Sequence, residues 1–246
     1  MGKNYKLVVQ YDGTRYKGWQ SQKTTDVTIQ GKLNGVFSQL EGKEIEVQGS
    51  GRTDAGVHAS GQVANVHLSV ELSLEEIKDY ANHYLPQDIG IAKIEEVPQQ
   101  FHARFAAVRK TYLYRIFNSD APNVFGRKWM YCIPTALDLA AMRQAALYLE
   151  GTHDFAAFCT NRQKKKSTVR TIYRIEIRQK EEEVDIIITG NGFLHNMVRI
   201  ITGTLVEVGL KKRKPVEISE ILAERNREKA GITMPELGLI LWSVEY

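Results

Sequence analysis

Apolar residues recur along this chain with two periods, and the switches between them mark its elements. Residues 5–12 (YKLVVQYD) are β-branched and aromatic and close on Asp12-Gly13, predicting a strand that ends in a turn. Ile29, Leu33, Val36, Phe37 and Leu40 then fall at helical spacing after Thr28, a capping residue, and stop near Gly42. Residues 45–48 predict a short strand and 62–70 (QVANVHLSV) a longer one. Ser73 and Glu76 form a capping box for a helix through Leu85, which Pro86 ends. Residues 89–97 predict a further strand. The resulting order, β-α-β-β-α-β, is that of a split βαβ or ferredoxin-like arrangement.

The second half repeats the order of elements without repeating residues. A strand is expected over 106–118, a helix over 137–150, and a hairpin of 169–178 with 184–189 around Glu181-Glu182-Glu183. Helices over 193–208 and 216–225 and a closing strand over 239–246 complete it. The expectation is an α/β (α+β) chain with two ferredoxin-like halves, 1–104 and 105–246, whose mixed antiparallel sheets flank a cleft.

Composition narrows the class. With 246 residues, 43% hydrophobic and 25% charged, the chain has material for a real core and resembles a soluble globular protein. No apolar run approaches a membrane span, and the start Lys3-Asn4-Tyr5-Lys6 lacks a signal peptide's apolar core. Two cysteines, Cys132 and Cys159, without CxxC spacing fit a reducing compartment, so a cytoplasmic protein is expected. A formal charge of +4 permits a polyanionic partner without demanding one.

Residues 49–59 (GSGRTDAGVHA) are the stretch most suited to chemistry. Three glycines surround one cation, Arg52, and one carboxylate, Asp54. Such a segment is either a plain turn or a fixed loop that holds a reactive side chain near a ligand. It is not a dinucleotide or P-loop, because its glycines are wrongly spaced for either and strand-like sequence follows it. The six histidines form no ligand-spaced cluster, so no metal site is expected, and no serine motif accompanies His153-Asp154.

Three basic stretches have aromatic company or phosphate reach: 104–115, 162–174 with Lys164-Lys165-Lys166, and 211–214. In the first, Tyr112 and Tyr114 share one strand face, suited either to stacking on a base or to ordinary sheet packing. Arg199 lies in a strongly apolar predicted helix and needs a carboxylate partner there. Asp54 is a candidate for that partner, and such a pair would keep it ionised for use as nucleophile or base.

Residues 51–59 (GRTDAGVHA) resemble the signature loop of the tRNA pseudouridine synthase A (TruA) family. The likeness continues through Tyr11-Asp12-Gly13-Thr14, Gly18-Trp19-Gln20, residues 109–114 (RKTYLY) and Gly151-Thr152-His153-Asp154-Phe155. It extends to Val169-Arg170-Thr171-Ile172, Gly192-Phe193-Leu194, Asn196-Met197-Val198-Arg199, and Pro235 with Gly238-Leu239. His195, where an aromatic is usual, and Met234 before Pro235 are small departures. The resemblance implies isomerisation of uridine to pseudouridine at tRNA positions 38, 39 and 40, without a cofactor, by a homodimer with a basic cleft. It implies Asp54 as the catalytic aspartate, Tyr112 as the residue that stacks on the target base, and Arg199 as the aspartate's partner. Arg52 would help hold the RNA or the everted nucleotide.

Overall fold

The computed structural model describes residues 2–160 and 167–246, so Lys164-Lys165-Lys166 lie outside the described residues. The chain divides into two compact units, Met1–Val108 with Ile240–Tyr246, and Arg109–Leu239.

In the first unit, β1 (Lys3–Tyr11) buries Tyr5, Leu7, Val9 and Tyr11 on one face, the alternation a half-covered strand requires. Helix α1 (Ile29–Glu41) starts where Thr28 accepts the Gly31 amide and turns Ile29, Leu33 and Phe37 inward. The short β2 (Gln48–Gly49) pairs with β3 (His58–Leu68), which runs antiparallel to β1. Helix α2 (Leu74–Tyr84) has the complete capping box of Ser73 and Glu76, and buries Ile77 and Ala81. Strand β4 (Ile89–Val97) lies antiparallel on the other edge of β1. The order β-α-β-β-α-β is therefore realised, with β1 central between β4 and β3. Burying each large apolar side chain contributes about 1.5–3 kcal/mol.

The other face of this sheet carries two buried amides. Asn65 donates to Asn4 Oδ1 at 3.2 Å and accepts the Ala103 amide at 2.9 Å. Asn4 donates onward to the carbonyls of Pro98 at 3.2 Å and Phe101 at 2.9 Å. The segment after β4 is thus drawn across the sheet by polar groups that have no access to water.

The second unit begins with β5 (Arg109–Phe117), which returns through the two-residue β6 (Tyr131–Cys132) running parallel beside it. Helix α3 (Leu139–Leu147), capped by Asp138, leads to β7 (Gly151–Asp154), β8 (Val169–Lys180) and β9 (Glu183–Gly190). The sheet order is β5-β9-β8-β7, antiparallel throughout. Tyr114, Ile116, Ile186 and Ile188 line its buried face. Helix α4 (Met197–Gly209) is apolar nearly all round and is almost wholly buried, as that composition demands. Residues 193–196, expected to be helical, instead form a turn that ends at Asn196 with φ 62°. Helix α5 (Glu217–Glu224) follows, and Arg213 pairs with Glu207 at 2.8 Å rather than standing free in solvent.

The closing strand β10 (Leu239–Glu245) belongs almost entirely to the first unit. It lies parallel to β3, with Ile240 opposite His58 and Leu241 opposite Ala59. The result is a mixed α+β architecture built on mostly antiparallel strands. Among the described residues no helix is long and apolar enough to cross a membrane.

Replacing Asn65 by Ala would leave the Ala103 amide and the Asn4 side chain without their buried partner. The expected cost is about 1–3 kcal/mol, read as a lower denaturant midpoint at unchanged slope; a midpoint within error of the parent would contradict the anchoring role.

Candidate active site

The loop between β2 and β3 is held by its neighbours more than by its own turns. Ser50 is fully buried, with its hydroxyl 2.8 Å from Gln62 Oε1, and its amide donates to the Val63 carbonyl at 2.7 Å. Gln62 in turn donates to the Gly51 carbonyl at 3.0 Å. Thr53, also buried, has its hydroxyl 2.8 Å from the hydroxyl of Tyr11. Burial pushes the Tyr11 phenol well above its ordinary pKa against the opposing pull of Thr53 and Gln62, so this hydroxyl stays protonated.

A second set of contacts comes from residues 12–20. Trp19 donates its amide to the Thr53 carbonyl at 3.0 Å, and Gly56 donates to the Tyr16 carbonyl at 3.3 Å. Gly18 sits at φ +91°, and a Cβ there would meet the Thr53 carbonyl oxygen at 2.6 Å. Gly49 is required for another reason: a Cβ would lie 2.5 Å from the Trp19 indole. Of the three glycines that open the backbone in the motif, only Gly56 has a positive φ, at 79°. Gly49 therefore serves close packing rather than an unusual dihedral.

Asp88 braces the turn that carries these contacts. It accepts the Tyr16 hydroxyl at 2.6 Å and Arg15 Nη2 at 2.6 Å, and its carbonyl accepts the Asp12 amide. Burial alone would raise the Asp88 pKa, but the bonds from Tyr16 and Arg15 outweigh it and hold the carboxyl below its usual range.

Within this frame Asp54 is half-buried, between the exposed Arg52 and Ala55 and the buried Thr53. Its carbonyl accepts the Val57 amide at 3.2 Å, closing the turn over Gly56. Arg52 projects outward, yet its Nε is fixed by Gln20 Oε1 at 2.9 Å. Gln20 bonds Gln30 at 2.6 Å, and the buried Gln30 bonds the Val47 carbonyl at 2.8 Å. A relay of three side chains thus orients an exposed cation from the core. The terminal nitrogens of Arg52 have no hydrogen-bond partner among the described residues, the state in which a guanidinium meets a phosphate bidentately.

In the second unit, Tyr112 sits on β5 opposite Ile188, and its ring meets Phe193 edge-on at 5.1 Å and 85°. Tyr114 is fully buried and donates to the Pro235 carbonyl at 2.8 Å, so of the two tyrosines only Tyr112 keeps some exposure. Arg109 lies over the ring of Tyr173 at 5.0 Å. The side chain of Arg199 is 15% exposed and forms an ion pair with Glu236 at 3.2 Å. Its Nε donates to the Met234 carbonyl at 2.6 Å and Nη1 to Asn196 at 3.0 Å. Arg52 and Asp54 therefore share one loop of the first unit, while Tyr112 and Arg199 stand on β5 and α4 of the second. Glu236 and Gln62 were not singled out from the sequence, and Tyr11, the first residue of Tyr11-Asp12-Gly13-Thr14, was given no role; Glu236 follows Pro235, whereas Gln62 gave no signal.

Asp88→Asn is expected to cost about 1.5–3 kcal/mol at neutral pH, the range for hydrogen bonds to a charged group. Because the folded-state pKa is lowered, this stability is present above the ordinary carboxylate pKa of about 4 and is lost as pH falls through the lower folded value. Urea titrations of parent and variant should therefore converge in acid; a pH-independent gap would remove the ionic role.

Comparison with known proteins agrees with this frame. The tRNA pseudouridine synthase family model matches residues 7–106 and 145–246. A protein of a Bacillus species named tRNA pseudouridine synthase A is 46% identical over 243 residues, 99% of each chain. A Bacillus cereus protein named tRNA pseudouridine synthase A 2 is 47% identical with the same coverage. A Clostridium tetani protein of that name is 44% identical over the whole of both chains. Among solved structures, the archaeal box H/ACA sRNP Nop10-Cbf5 complex is matched at 13% identity and a TM-score of 0.34, covering 72% of this chain and 39% of that one, too low a likeness to add anything. Full-length identity of this order, together with a family match that spans the loop and most of both units, shows that the chain belongs to the tRNA pseudouridine synthase family.

Proposed function

We propose that this protein isomerises uridine to pseudouridine at positions 38, 39 and 40 of the tRNA anticodon stem-loop, with Asp54 as its catalytic carboxylate. The observation that carries the proposal is the mounting of Asp54. One half-buried acid stands on a loop whose preceding residues are locked by side-chain hydrogen bonds and whose following turn is held by the Gly56 and Val57 amides, beside an outward-facing, pre-oriented arginine. A module that only bound RNA would gain nothing from a carboxylate facing phosphates.

The reaction needs little more. The N1–C1′ bond breaks, the uracil turns within the site, C5 bonds to C1′, and the C5 proton leaves while N1 gains one. Nothing is added overall. Asp54 serves this by attacking C1′, by attacking the uracil ring, or by removing the C2′ proton, and we favour the last. Bringing the uridine out of its stack costs about a few kcal/mol. Tyr112, backed by Phe193, would return roughly 1–3 kcal/mol by stacking. Arg52 would hold the backbone of the everted nucleotide. Arg199, its plane fixed by Met234, Asn196 and Glu236, would supply a steady positive charge to the site. We further propose that the protein works as a cytoplasmic homodimer.

Asp54→Ala should abolish tritium release from tRNA labelled at uridine C5 while leaving tRNA affinity within severalfold; full turnover in that variant would end the assignment. Tyr112→Phe keeps the ring and should keep most activity, so a severe loss would assign a role to the hydroxyl. Deuterium at C2′ should slow product formation if that proton is removed, and an absent isotope effect under single-turnover conditions would leave the two attack routes.

A further inference from the structure

The segment between β5 and β6 presents apolar rings to water beside two cations. Phe125 is 93% exposed, Val124 56% and Trp129 42%. Arg127 and Lys128 stand between the two rings, and residues 121–135 contain no Asp or Glu. Lys128 has no hydrogen-bond or ion-pair partner among the described residues.

This exposure is built. Asn123 Oδ1 accepts the Gly126 amide at 2.7 Å, and its amide nitrogen lies 3.4 Å from the sulfur of the buried Met130. The Gly126 carbonyl accepts the amides of Trp129 at 2.9 Å and Met130 at 3.0 Å. Arg127 Nη1 donates to the Val124 carbonyl, curling the loop on itself. At its base, Asn118 donates to the carbonyls of Ile133 and Thr135, both at 2.8 Å, and tethers the returning strand. A loop ordered before binding loses little conformational entropy when it binds.

We propose that residues 123–129 are a tRNA-contacting surface, with Phe125 stacking on an unpaired base and Arg127 and Lys128 holding adjacent phosphates. The proposal rests on the reading that tRNA is the substrate. A flat ring next to cations is the pairing that unpaired nucleotides select, since every base has a π-face and every linkage a negative charge. A second copy of this chain is the competing occupant. A two-fold contact centred on residues 123–129 would bring Arg127 and Lys128 of both copies together with no acid nearer in the loop than Asp120 to offset them.

The test is binding of the full chain to a tRNA transcript and to a fully paired RNA duplex of similar length. Phe125→Ala and Phe125→Leu should weaken tRNA binding roughly fivefold or more, within the range of one stacked base, and leave duplex binding unchanged. Phe125→Tyr should retain parental affinity. Replacing Arg127 and Lys128 together by Ala should flatten the dependence of log affinity on log salt by about 1.4–1.8 on either RNA. Unchanged tRNA affinity in Phe125→Ala with an unchanged salt slope in the double variant overturns the proposal. So does a loss accompanied by a smaller sedimenting species, which would assign the loop to contact between copies. Parent protein that bound no tRNA would remove the substrate reading as well, whereas intact pseudouridine formation with binding indifferent to Phe125 removes this inference alone.

Discussion

The hydroxyl pair of Tyr11 and Thr53 is the contact on which the first unit's chemistry depends. A buried polar group is costly unless matched, so two buried hydroxyls 2.8 Å apart fix each other's positions far better than an apolar contact would. Tyr11 comes from the end of β1 and Thr53 immediately precedes the candidate acid. The strand that organises the sheet thereby sets the position of the reactive loop. Ser50 and Gln62 repeat the device at the base of the same loop, across its two ends. Between these two clamps Asp54 has little freedom except at its own side chain.

Arg52 and Arg199 are mounted in contrasting ways. Arg52 is exposed but oriented through Gln20 and Gln30, so its charge is directed outward at small entropic cost. Arg199 is mostly covered and takes a carbonyl, an amide and a carboxylate as partners. Removing a carboxylate from beside such a covered cation costs far more than removing a surface one. One arginine is therefore suited to gripping a ligand and the other to holding a site's geometry.

What the sequence revealed follows the range of the interaction. Helix starts at Thr28 and Ser73 were legible because a cap and the amide it accepts lie within three residues of each other. The strands of the β8–β9 hairpin were legible for the same reason. The two-residue β6 and the four-residue β7 were not, because neither has enough residues to show a period. The helix expected from Phe193 starts at Met197, because Asn196 takes a left-handed backbone that closes a turn before it, and apolar character in Phe193 and Leu194 did not distinguish that turn from a helix. The carboxylate beside Arg199 lies 37 positions away, and nothing local to Glu236 identifies it. Asp54 and Arg52 stood out because their loop is locally unusual; the clamps behind them did not, because a lone Tyr or Gln in a strand is ordinary.

The return of β10 to β3 makes the first unit discontinuous in sequence. As the chain leaves the ribosome, the end of β3 at His58 and Ala59 must wait with an unpaired edge until Ile240 and Leu241 have been made, whereas β2 already covers Ala64 and Asn65. Exposed strand edges are where nascent chains aggregate or are caught by chaperones. A chain cut short before β10 would therefore carry the loop of residues 49–59 on a sheet with an open seam beside it. Pairing of His58 and Ala59 therefore waits for Ile240 and Leu241, and the first unit's sheet is finished only by residues remote from it in sequence.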